Sequence, residues 1–454
     1  MIERFVIFGA SGDLTKRLLM PAIAELAEAE LLPPELTLVG SARSGESTDE
    51  FREGMRAALA EFAAEVGAEA RDSVVRRLQF VPADVTETSD VRAALGDLDK
   101  RTLVYLALPT FLLEAAISAL STAGLRSGDA VAIEKPFGAD RASARRLNER
   151  LRNELPEPTV FRVDHFLSDE LVRQVLALRF ANRVFEPTWN ALHVERVDIS
   201  WVESLTLEGR AGYYDQAGAL KDMVQNHLME ALALVLMEEP ARVDPVSFRD
   251  MRVEALRGVG TPGAGEARRR SIRGRYTSGT IAGRDVPAYV DEPGVEPGRD
   301  TETYASITVE VDRARWAGVP FTLRSGKALS GDRGEIAVHF RPMPGYLQER
   351  YPGIAPNVLR LGLMEPTIRL ATTTIGEGRR GSGDELELCA LARRRSPYAS
   401  LVLEMLRGDA TLTIRGDEAE EAWRIIDPIA EAWASGEVPM REYAAGTAPP
   451  GSET

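Results

Sequence analysis

A glycine-containing segment near the start of the chain has the residue types that bind a pyrophosphate. It reads Gly9-Ala10-Ser11-Gly12-Asp13-Leu14-Thr15 and lies between an apolar strand pattern and a helical pattern. Glycines there allow a tight turn and let backbone N–H groups approach a phosphate, and the helix N-terminus adds a favourable dipole. The candidate cofactor-binding residues are Gly9, Ser11, Gly12, Asp13 and Leu14. Because the spacing lacks the full G-x-G-x-x-G pattern, an ordinary glycine turn remains an alternative explanation.

A second nucleotide signal follows the next predicted strand, in Gly40-Ser41-Ala42-Arg43-Ser44. NAD enzymes usually present an acid at this point to the ribose hydroxyls, whereas an arginine pairs with a 2′-phosphate through two hydrogen bonds. Arg43 therefore favours NADP as the cofactor, with NAD as the alternative. A solvated surface arginine would explain the residue without any cofactor.

Metal-ligating residues are scarce in this chain. It has one cysteine, Cys389, and four histidines, His165, His193, His227 and His339. They form neither a Cys/His cluster nor a His-Glu-x-x-His helix, so we predict no zinc site. A lone cysteine cannot form an internal disulfide, and we expect a reducing, cytoplasmic setting.

Alternating strand and helix patterns in the first third of the chain predict the elements that position these residues. Strands are predicted at residues 4–8, 36–39, 79–83, 102–107 and 130–134. The segments between them are rich in alanine, leucine and glutamate with helical apolar spacing. This order predicts a Rossmann-type α/β dinucleotide-binding domain over residues 1–165.

The rest of the chain has a different pattern, with strands predicted at 195–203 and 302–311 and a helix at 215–238. We predict an α+β domain with a large, mainly antiparallel sheet over residues 166–443. Within it, residues 242–298 are rich in glycine, proline and arginine and are expected to form an extended surface connection. The tail, 444–454, is expected to be disordered.

Length and composition exclude several classes of protein. The chain has 454 residues, and 55 Lys and Arg against 70 Asp and Glu give a net charge of −15, which disfavours a nucleic-acid-coating surface. The densest apolar run, 228–237, is about half the ~20 residues that span a bilayer, and we predict no membrane segment. A 44% hydrophobic composition is typical of a globular protein, and the expected partner is a small molecule.

Four further segments, in chain order, resemble the glucose-6-phosphate dehydrogenase family. They are Glu134-Lys135-Pro136-Phe137-Gly138, Arg162-Val163-Asp164-His165-Phe166-Leu167, Gly212-Tyr213-Tyr214-Asp215 continuing to Gln225-Asn226-His227, and Arg324-Ser325-Gly326-Lys327. Several independent motifs fall in register, and the resemblance spans roughly residues 5 to 440. It implies NADP-dependent oxidation of an aldose at C1 to a 1,5-lactone, by a homodimer or homotetramer.

Oxidation at an anomeric carbon needs a base for the O1 proton while hydride leaves C1. A histidine titrates near working pH, and a carboxylate on its other ring nitrogen fixes the tautomer and stabilises the imidazolium. The resemblance assigns these catalytic roles to His227 and Asp164. Without the resemblance, a core histidine on an amphipathic helix would be the simpler interpretation of His227.

The resemblance also implies the substrate-binding residues. Lys135 would lie between nicotinamide and sugar, with Pro136 in the hinge beside it. Glu203 and Asp222 would bind sugar hydroxyls, which suit carboxylate acceptors, and Lys327 and His165 would contact the substrate. Each acid taken singly is more often a solvated or ion-paired surface residue.

Three basic residues of the family are replaced in this chain where the family binds the sugar phosphate, and the tyrosine of the same motif is Phe166. The family's His-Tyr-Leu-Gly-Lys is here His165-Phe166-Leu167-Ser168-Asp169, so that Asp169 replaces a lysine. Asp332 occupies another basic position, followed at once by Arg333, and Leu18 replaces the third basic residue of the family's first helix. One ion pair at about 5 Å is worth roughly 3 kcal/mol at an effective dielectric of ~20, so these changes should weaken phosphate binding.

We therefore expect a non-phosphorylated sugar, glucose or an amino sugar, with Asp169 and Asp332 binding a free hydroxyl or an ammonium group. An ordinary glucose-6-phosphate dehydrogenase with a rearranged phosphate site is the first alternative. A Rossmann oxidoreductase acting on other ring carbons is a further alternative. The last is a non-catalytic partner subunit or sugar sensor.

Overall fold

The computed structural model describes residues 2–126, 128–166, 174–209, 211–242, 244–263, 265–343, 345–350, 354–365, 367–375, 381–390 and 395–451. The chain divides into two compact units. The first unit comprises Met1–Asp169, Pro240–Asp250 and Arg394–Glu420, and the second comprises Glu170–Glu239, Met251–Arg393 and Glu421–Thr454. Two stretches that the sequence-based boundaries assign to the second domain thus belong to the first unit.

The first unit contains a six-stranded parallel sheet. Its strands are β1 (Arg4–Phe8), β2 (Thr37–Ala42), β3 (Leu78–Pro82), β4 (Thr102–Leu106), β5 (Ala130–Glu134) and β6 (Val160–Val163). The order β3-β2-β1-β4-β5-β6 is that of a doubly wound dinucleotide-binding fold. In register at its centre, Val6 lies between Val39 and Val104. The predicted Rossmann-type domain is confirmed, and β6 is an addition to the five predicted strands.

Helices alternate along the chain with the strands of this sheet. Their bounds are Met20–Glu28, Thr48–Phe62, Ala68–Arg77, Thr88–Leu95, Leu113–Ala123 and Arg141–Glu154. A π-helical turn, Thr15–Leu19, leads into the first of them. Ser47 with Glu50 forms a capping box at the start of the second, and Asp140 with Ser143 forms one at the start of the sixth. These caps satisfy N–H groups that a helix start leaves without partners.

A helix from late in the chain, Pro397–Arg407, completes the core of the first unit. It packs against Met20–Glu28, and Ser396 donates to the carboxylate of Glu25 from its N–H (2.9 Å) and its hydroxyl (2.6 Å). Its apolar face is buried in the same core cluster as β1 and β4. The helix that follows the glycine turn is therefore held in place by residues almost four hundred positions away.

The second unit contains a nine-stranded sheet and a two-stranded hairpin. The large sheet has the order β16-β15-β14-β13-β7-β12-β11-β8-β17. Its strands are β7 (Val194–Val202), β8 (Ser271–Thr277), β11 (Tyr304–Val309), β12 (Phe321–Gly326), β13 (Arg333–Phe340), β14 (Val358–Gly362), β15 (Thr367–Ile375), β16 (Gly381–Ala390) and β17 (Met440–Ala444). All pairs are antiparallel except β12 with β7 and β17 with β8. The predicted large, mainly antiparallel sheet is confirmed.

The single helix predicted over 215–238 is divided in the structure. It consists of Ala211–Ala219, a π-helical segment Leu220–Leu228, and Met229–Leu236. At the first junction Gly218 has a φ of +68°, and the N–H of Leu220 donates to a Glu302 carboxylate oxygen at 2.9 Å. The π-helical segment packs against β7, β11 and β12, which brings its residues onto the sheet.

The expectation that residues 242–298 form an extended surface connection is wrong. The segment includes helices Pro245–Arg257 and Ala267–Arg270, strand β8, and a hairpin of β9 (Gly279–Ile281) and β10 (Arg284–Val286). The arginines misled the interpretation, because Arg249 and Arg252 are buried along with Val253 and Leu256. Two further α-helices of the described residues are Tyr346–Arg350 and Gly416–Ala434, and Ala177–Ala181 is a π-helical turn.

The first residues of the tail expected to be disordered are hydrogen-bonded. The N–H of Gly446 donates to Ala328 O at 2.9 Å, and the N–H of Ser330 donates to Thr447 O at 3.0 Å. Residues 452–454 lie outside the described part of the chain. None of the helices in the described part of the chain has the length and apolar character that crossing a bilayer requires.

Candidate active site

The glycine turn leaves β1 at the carboxyl edge of the parallel sheet. Gly9 has a φ of +84°, and a Cβ there would lie 2.1 Å from the carbonyl oxygen of Ala107. The N–H groups of Gly9 and Ala10 both donate to Ser41 O, at 2.9 and 3.1 Å, and so tie the turn to β2. The exposed residues of the turn are Ser11, Gly12 and Asp13, with Leu14 half-buried. The close packing at Gly9 keeps the turn narrow, which fits a pyrophosphate approaching its exposed backbone.

Arg43 is exposed and directly follows β2. It lies near Asp84, whose pKa is lowered mainly by hydrogen bonds from Thr86 and to a smaller extent by the charge of Arg43. The guanidinium is thus at the sheet edge where a dinucleotide ribose is expected, with one acid in its surroundings.

Glu134 and Lys135 end β5 at the same edge. Glu134 Oε1 accepts hydrogen bonds from the hydroxyls of Tyr105 and, at 3.2 Å, Tyr398. Burial raises the pKa of Glu134 to about 7, and the negative charge of Asp164 adds to this rise. The peptide bond between Lys135 and Pro136 is cis. The lysine predicted to touch both cofactor and sugar therefore follows a carboxyl group that is fixed by two tyrosines.

Asp164 follows β6 and is 1% exposed. Its Oδ1 accepts the N–H of Phe166 at 3.0 Å and lies 3.8 Å from Nδ1 of His165. The His165 ring, whose side chain is 46% exposed, stacks on Tyr398 with ring centroids 5.7 Å apart. A buried acid and a partly exposed histidine are thus held side by side. Asp169, the strongest departure from the family, lies outside the described residues.

In the second unit, His227 is buried within the π-helical segment Leu220–Leu228. Glu302 receives the Leu220 N–H at the start of this segment. Burial raises the pKa of Glu302 to about 7, while its hydrogen bond from Leu220 acts in the opposite direction. Sequence reasoning placed His227 on an ordinary helix and did not identify Glu302.

Glu203 and Lys327, both predicted substrate ligands, are brought together in this unit. Lys327 Nζ lies 2.7 Å from Glu203 Oε2, and Trp201 Nε1 donates to Glu203 Oε1 at 3.1 Å. The ammonium also lies 5.6 Å from the ring centroid of Tyr214. Burial raises the pKa of Tyr214, and the charge of the predicted ligand Asp222 contributes to this rise. Lys327 therefore has a paired carboxylate on Glu203 and the aromatic ring of Tyr214 close to its ammonium group.

Asp332 is placed differently from what its predicted role suggests. It is exposed, and its Oδ1 accepts the N–H (2.6 Å) and hydroxyl (2.8 Å) of Ser204. These bonds hold the pKa of Asp332 below its usual range. The carboxylate predicted to bind a sugar hydroxyl is bonded to the residue that follows Glu203, and its role toward the sugar stays a prediction.

The predicted residues thus form two groups, one in each unit. The first unit places the glycine turn, Arg43, Lys135 and Asp164 at the ends of parallel strands, which share one sheet edge. The second unit places Glu203, Asp222, His227 and Lys327 around β7, β12 and the π-helical segment. Sequence reasoning missed Tyr398, Ser204 and Glu302, which carry no motif. Glu134 could have been found, because it begins the Glu-Lys-Pro motif.

Both units of the chain match family models of known proteins. Residues 6–174 match the family model described as glucose-6-phosphate dehydrogenase, NAD binding domain, and residues 176–454 match the corresponding C-terminal domain. The glucose-6-phosphate 1-dehydrogenase of Zymomonas mobilis is 35% identical over 98% of this chain and 95% of its own length.

Solved structures show the same relationship. The glucose-6-phosphate 1-dehydrogenase of Mycobacterium avium superposes with a TM-score of 0.87 and 32% identity over 98% of this chain and 95% of that one. A glucose-6-phosphate dehydrogenase in complex with glucose 6-phosphate gives a TM-score of 0.90 and 28% identity over 99% and 96%. These matches extend through both units. The chain belongs to the glucose-6-phosphate dehydrogenase family.

Proposed function

We propose that this chain oxidises glucose 6-phosphate at C1 to the 1,5-lactone with NADP as the cofactor. The observation that carries the proposal is the register of the family match, which covers both domains and retains Lys135, Asp164 and His227 at the motif positions. The relatives that match over nearly the whole chain are glucose-6-phosphate 1-dehydrogenases. This substrate was the first alternative from the sequence and is now the main candidate.

In the proposed mechanism His227 takes the proton from O1 of the sugar, and Asp164 has the role that the family resemblance assigns to it, which is to stabilise the imidazolium. The bound nicotinamide supplies the acceptor for the hydride from C1. Two observations support these roles. Both side chains are at least 95% buried, which excludes competing water, and the Phe166 N–H fixes the Asp164 carboxylate.

Sugar recognition is assigned to the group around Lys327. Glu203 has both oxygens bonded, one to Lys327 and one to Trp201, so its orientation is fixed before a sugar arrives. A fixed carboxylate and a fixed ammonium can bind neighbouring sugar hydroxyls with little ordering cost. We assign the cofactor to the glycine turn, where Gly9 leaves no room for a side chain, and the 2′-phosphate to Arg43.

A second candidate, oxidation of glucose or an amino sugar, is favoured by Asp169 alone. Asp332 supports this candidate less than the sequence suggested, because its carboxylate is bonded to Ser204. Leu18 is 41% exposed and removes a cation without adding a negative charge. The charge reversal at the phosphate site thus depends mainly on one residue.

Steady-state kinetics with NADP on glucose 6-phosphate, glucose and glucosamine test both candidates. We expect kcat/KM for glucose 6-phosphate to exceed the values for the other two sugars by about 10³, which corresponds to about 4 kcal/mol of transition-state binding. An equal or higher value for an unphosphorylated sugar would overturn the first candidate and support the second.

The variant His227→Asn tests the mechanism within the same assay. We expect kcat to fall by about 10³ while NADP binding is unchanged, because the variant loses only the base. His193→Asn is the matched control, since His193 is exposed. Turnover by His227→Asn at the wild-type rate would contradict the assignment. If wild type binds sugar without turnover, a sensor role replaces catalysis.

A further inference from the structure

A short connection between β12 and β13, residues 327–332, is joined at its two ends to two adjacent residues, Glu203 and Ser204. At its start Lys327 Nζ lies 2.7 Å from Glu203 Oε2. At its end Asp332 Oδ1 accepts the N–H and hydroxyl of Ser204 at 2.6 and 2.8 Å. Because Glu203 and Ser204 are adjacent after β7, the two contacts hold the connection to one point of the sheet.

The backbone between these ends is bonded to the same segment. Glu203 N–H donates to Gly326 O at 2.8 Å, and Leu329 N–H donates to Glu203 O at 3.0 Å. Ala328, which is buried, has a φ of +53° and donates to Leu205 O at 2.9 Å. A left-handed residue with a Cβ persists only where its surroundings determine the conformation. Residues 203–205 therefore hold the backbone on both sides of Lys327, while the backbone of Lys327 itself bonds Thr303 O and the Tyr443 hydroxyl.

Ser204 presents two hydrogen-bond donors, which the carboxylate of Asp332 can accept and a cationic side chain cannot. Ser204 offers two donors, a backbone N–H and a hydroxyl, to one carboxylate oxygen. Lysine and arginine side chains have donors but no acceptor, so neither could make these bonds. The basic residue that the family carries at this position would leave the Ser204 N–H without this partner.

We propose that Asp332 is a positioning residue, which acts through Ser204 to hold the Glu203–Lys327 pair in place for sugar binding and does not itself contact the sugar. We name the contact the Ser204–Asp332 clasp. The proposal rests on the proposed function and deepens it, because it gives the Asp332 carboxylate a structural role and no role in recognising the charge of the substrate. It also explains why an acid can stand where the family has a cation.

Kinetics of Asp332→Ala and Asp332→Asn distinguish an acceptor from a charge. Asparagine keeps an oxygen that can accept both Ser204 bonds, so this variant should stay within about twofold of wild type, whereas alanine should raise the KM for the sugar about tenfold. The KM for NADP and the kcat should change little in both. Asp291→Ala, which removes another exposed aspartate of the second unit, is the matched control. Ser204→Ala combined with Asp332→Ala should be no worse than Asp332→Ala.

Equal gains in kcat/KM for glucose 6-phosphate in both variants would show that the negative charge opposes the phosphate, and would overturn the proposal. Amide hydrogen exchange provides a readout without turnover. Asp332→Ala should speed exchange in peptides covering 203–205 and 327–332, and Asp332→Asn should not. Unchanged exchange in Asp332→Ala overturns the clasp, whereas wild type inactive on every sugar overturns only the proposed function.

Discussion

Glu134 is a residue of the candidate active site whose charge changes with pH near neutrality. Its carboxyl oxygen receives the hydroxyls of Tyr105 and Tyr398, and burial raises its pKa from 4.5 to about 7. Tyr398 in turn stacks on His165. A change in the protonation of this carboxyl group can therefore affect Tyr105 on β4 and, through Tyr398, the predicted substrate ligand His165.

Glu134→Gln should change how stability depends on pH. The pKa of Glu134 is higher in the folded protein than in the unfolded one, so ionisation of this carboxyl group opposes folding. The protonated group therefore contributes its full stability below about pH 4.5, and this stability is lost as pH rises through about 7. The amide stays neutral and can still accept from the tyrosines. We expect the variant to gain about 2 kcal/mol over wild type at pH 8.5, allowing for partial exposure, and only about 0.5 kcal/mol at pH 5.

Urea unfolding at the two pH values measures this difference. Glu87→Gln, at an exposed carboxylate, is the control and should leave the pH dependence unchanged. A constant difference between Glu134→Gln and wild type across the pH range would contradict the raised pKa.

At the scale of elements, the junction at Gly218 determines how the π-helical segment with His227 begins. A Cβ on Gly218 would lie 2.4 Å from Glu302 Oε1, in addition to the strain of a +68° φ. Gly209 has a similar φ of +76° but nothing within 4 Å of a Cβ. A comparison of alanine variants at the two glycines therefore distinguishes the destabilisation caused by the positive φ from that caused by overlap with Glu302.

Gly218→Ala should destabilise the protein by about 2–4 kcal/mol, and Gly209→Ala by about 1 kcal/mol. Only Gly218→Ala should lower kcat, because moving Glu302 or Leu220 shifts the segment that carries His227. Thermal unfolding and kinetics of both variants measure these effects. If Gly218→Ala and Gly209→Ala lose the same stability and the same kcat, the overlap of the added Cβ with Glu302 has no effect on either quantity.

The elements of the sheets could be predicted better than the contacts between distant segments. β1 and β5 were predicted with their observed bounds, because short apolar runs ended by turn residues define them. The helix over 215–238 was found, but its π-helical part was not, since Gly218 and Glu302 act across 84 residues of sequence. Tyr398 and Ser204 could not be found at all, because hydrogen bonds over such separations leave no local pattern.

At the scale of the molecule, the first unit is assembled from three separate stretches of chain. Helix Pro397–Arg407 buries a row of apolar side chains in its core: Tyr398, Ala399, Leu401, Val402, Leu403, Met405 and Leu406. Each large one contributes about 1.5–3 kcal/mol, so the helix supplies roughly 10 kcal/mol, which is as much as the net stability of a typical domain.

A fragment of residues 1–175, which corresponds to the family's NAD-binding domain, should therefore not fold alone. We expect no cooperative thermal transition and no NADP binding by fluorescence. Joining 1–169 to 394–420 through a flexible Gly/Ser linker should restore a transition, because Ser396 can again bond Glu25 and the apolar face of the helix is again covered. A fragment 1–175 that melts cooperatively and binds NADP as tightly as the full chain would show that the strands and their own helices suffice, and that the late helix is dispensable for the nucleotide site.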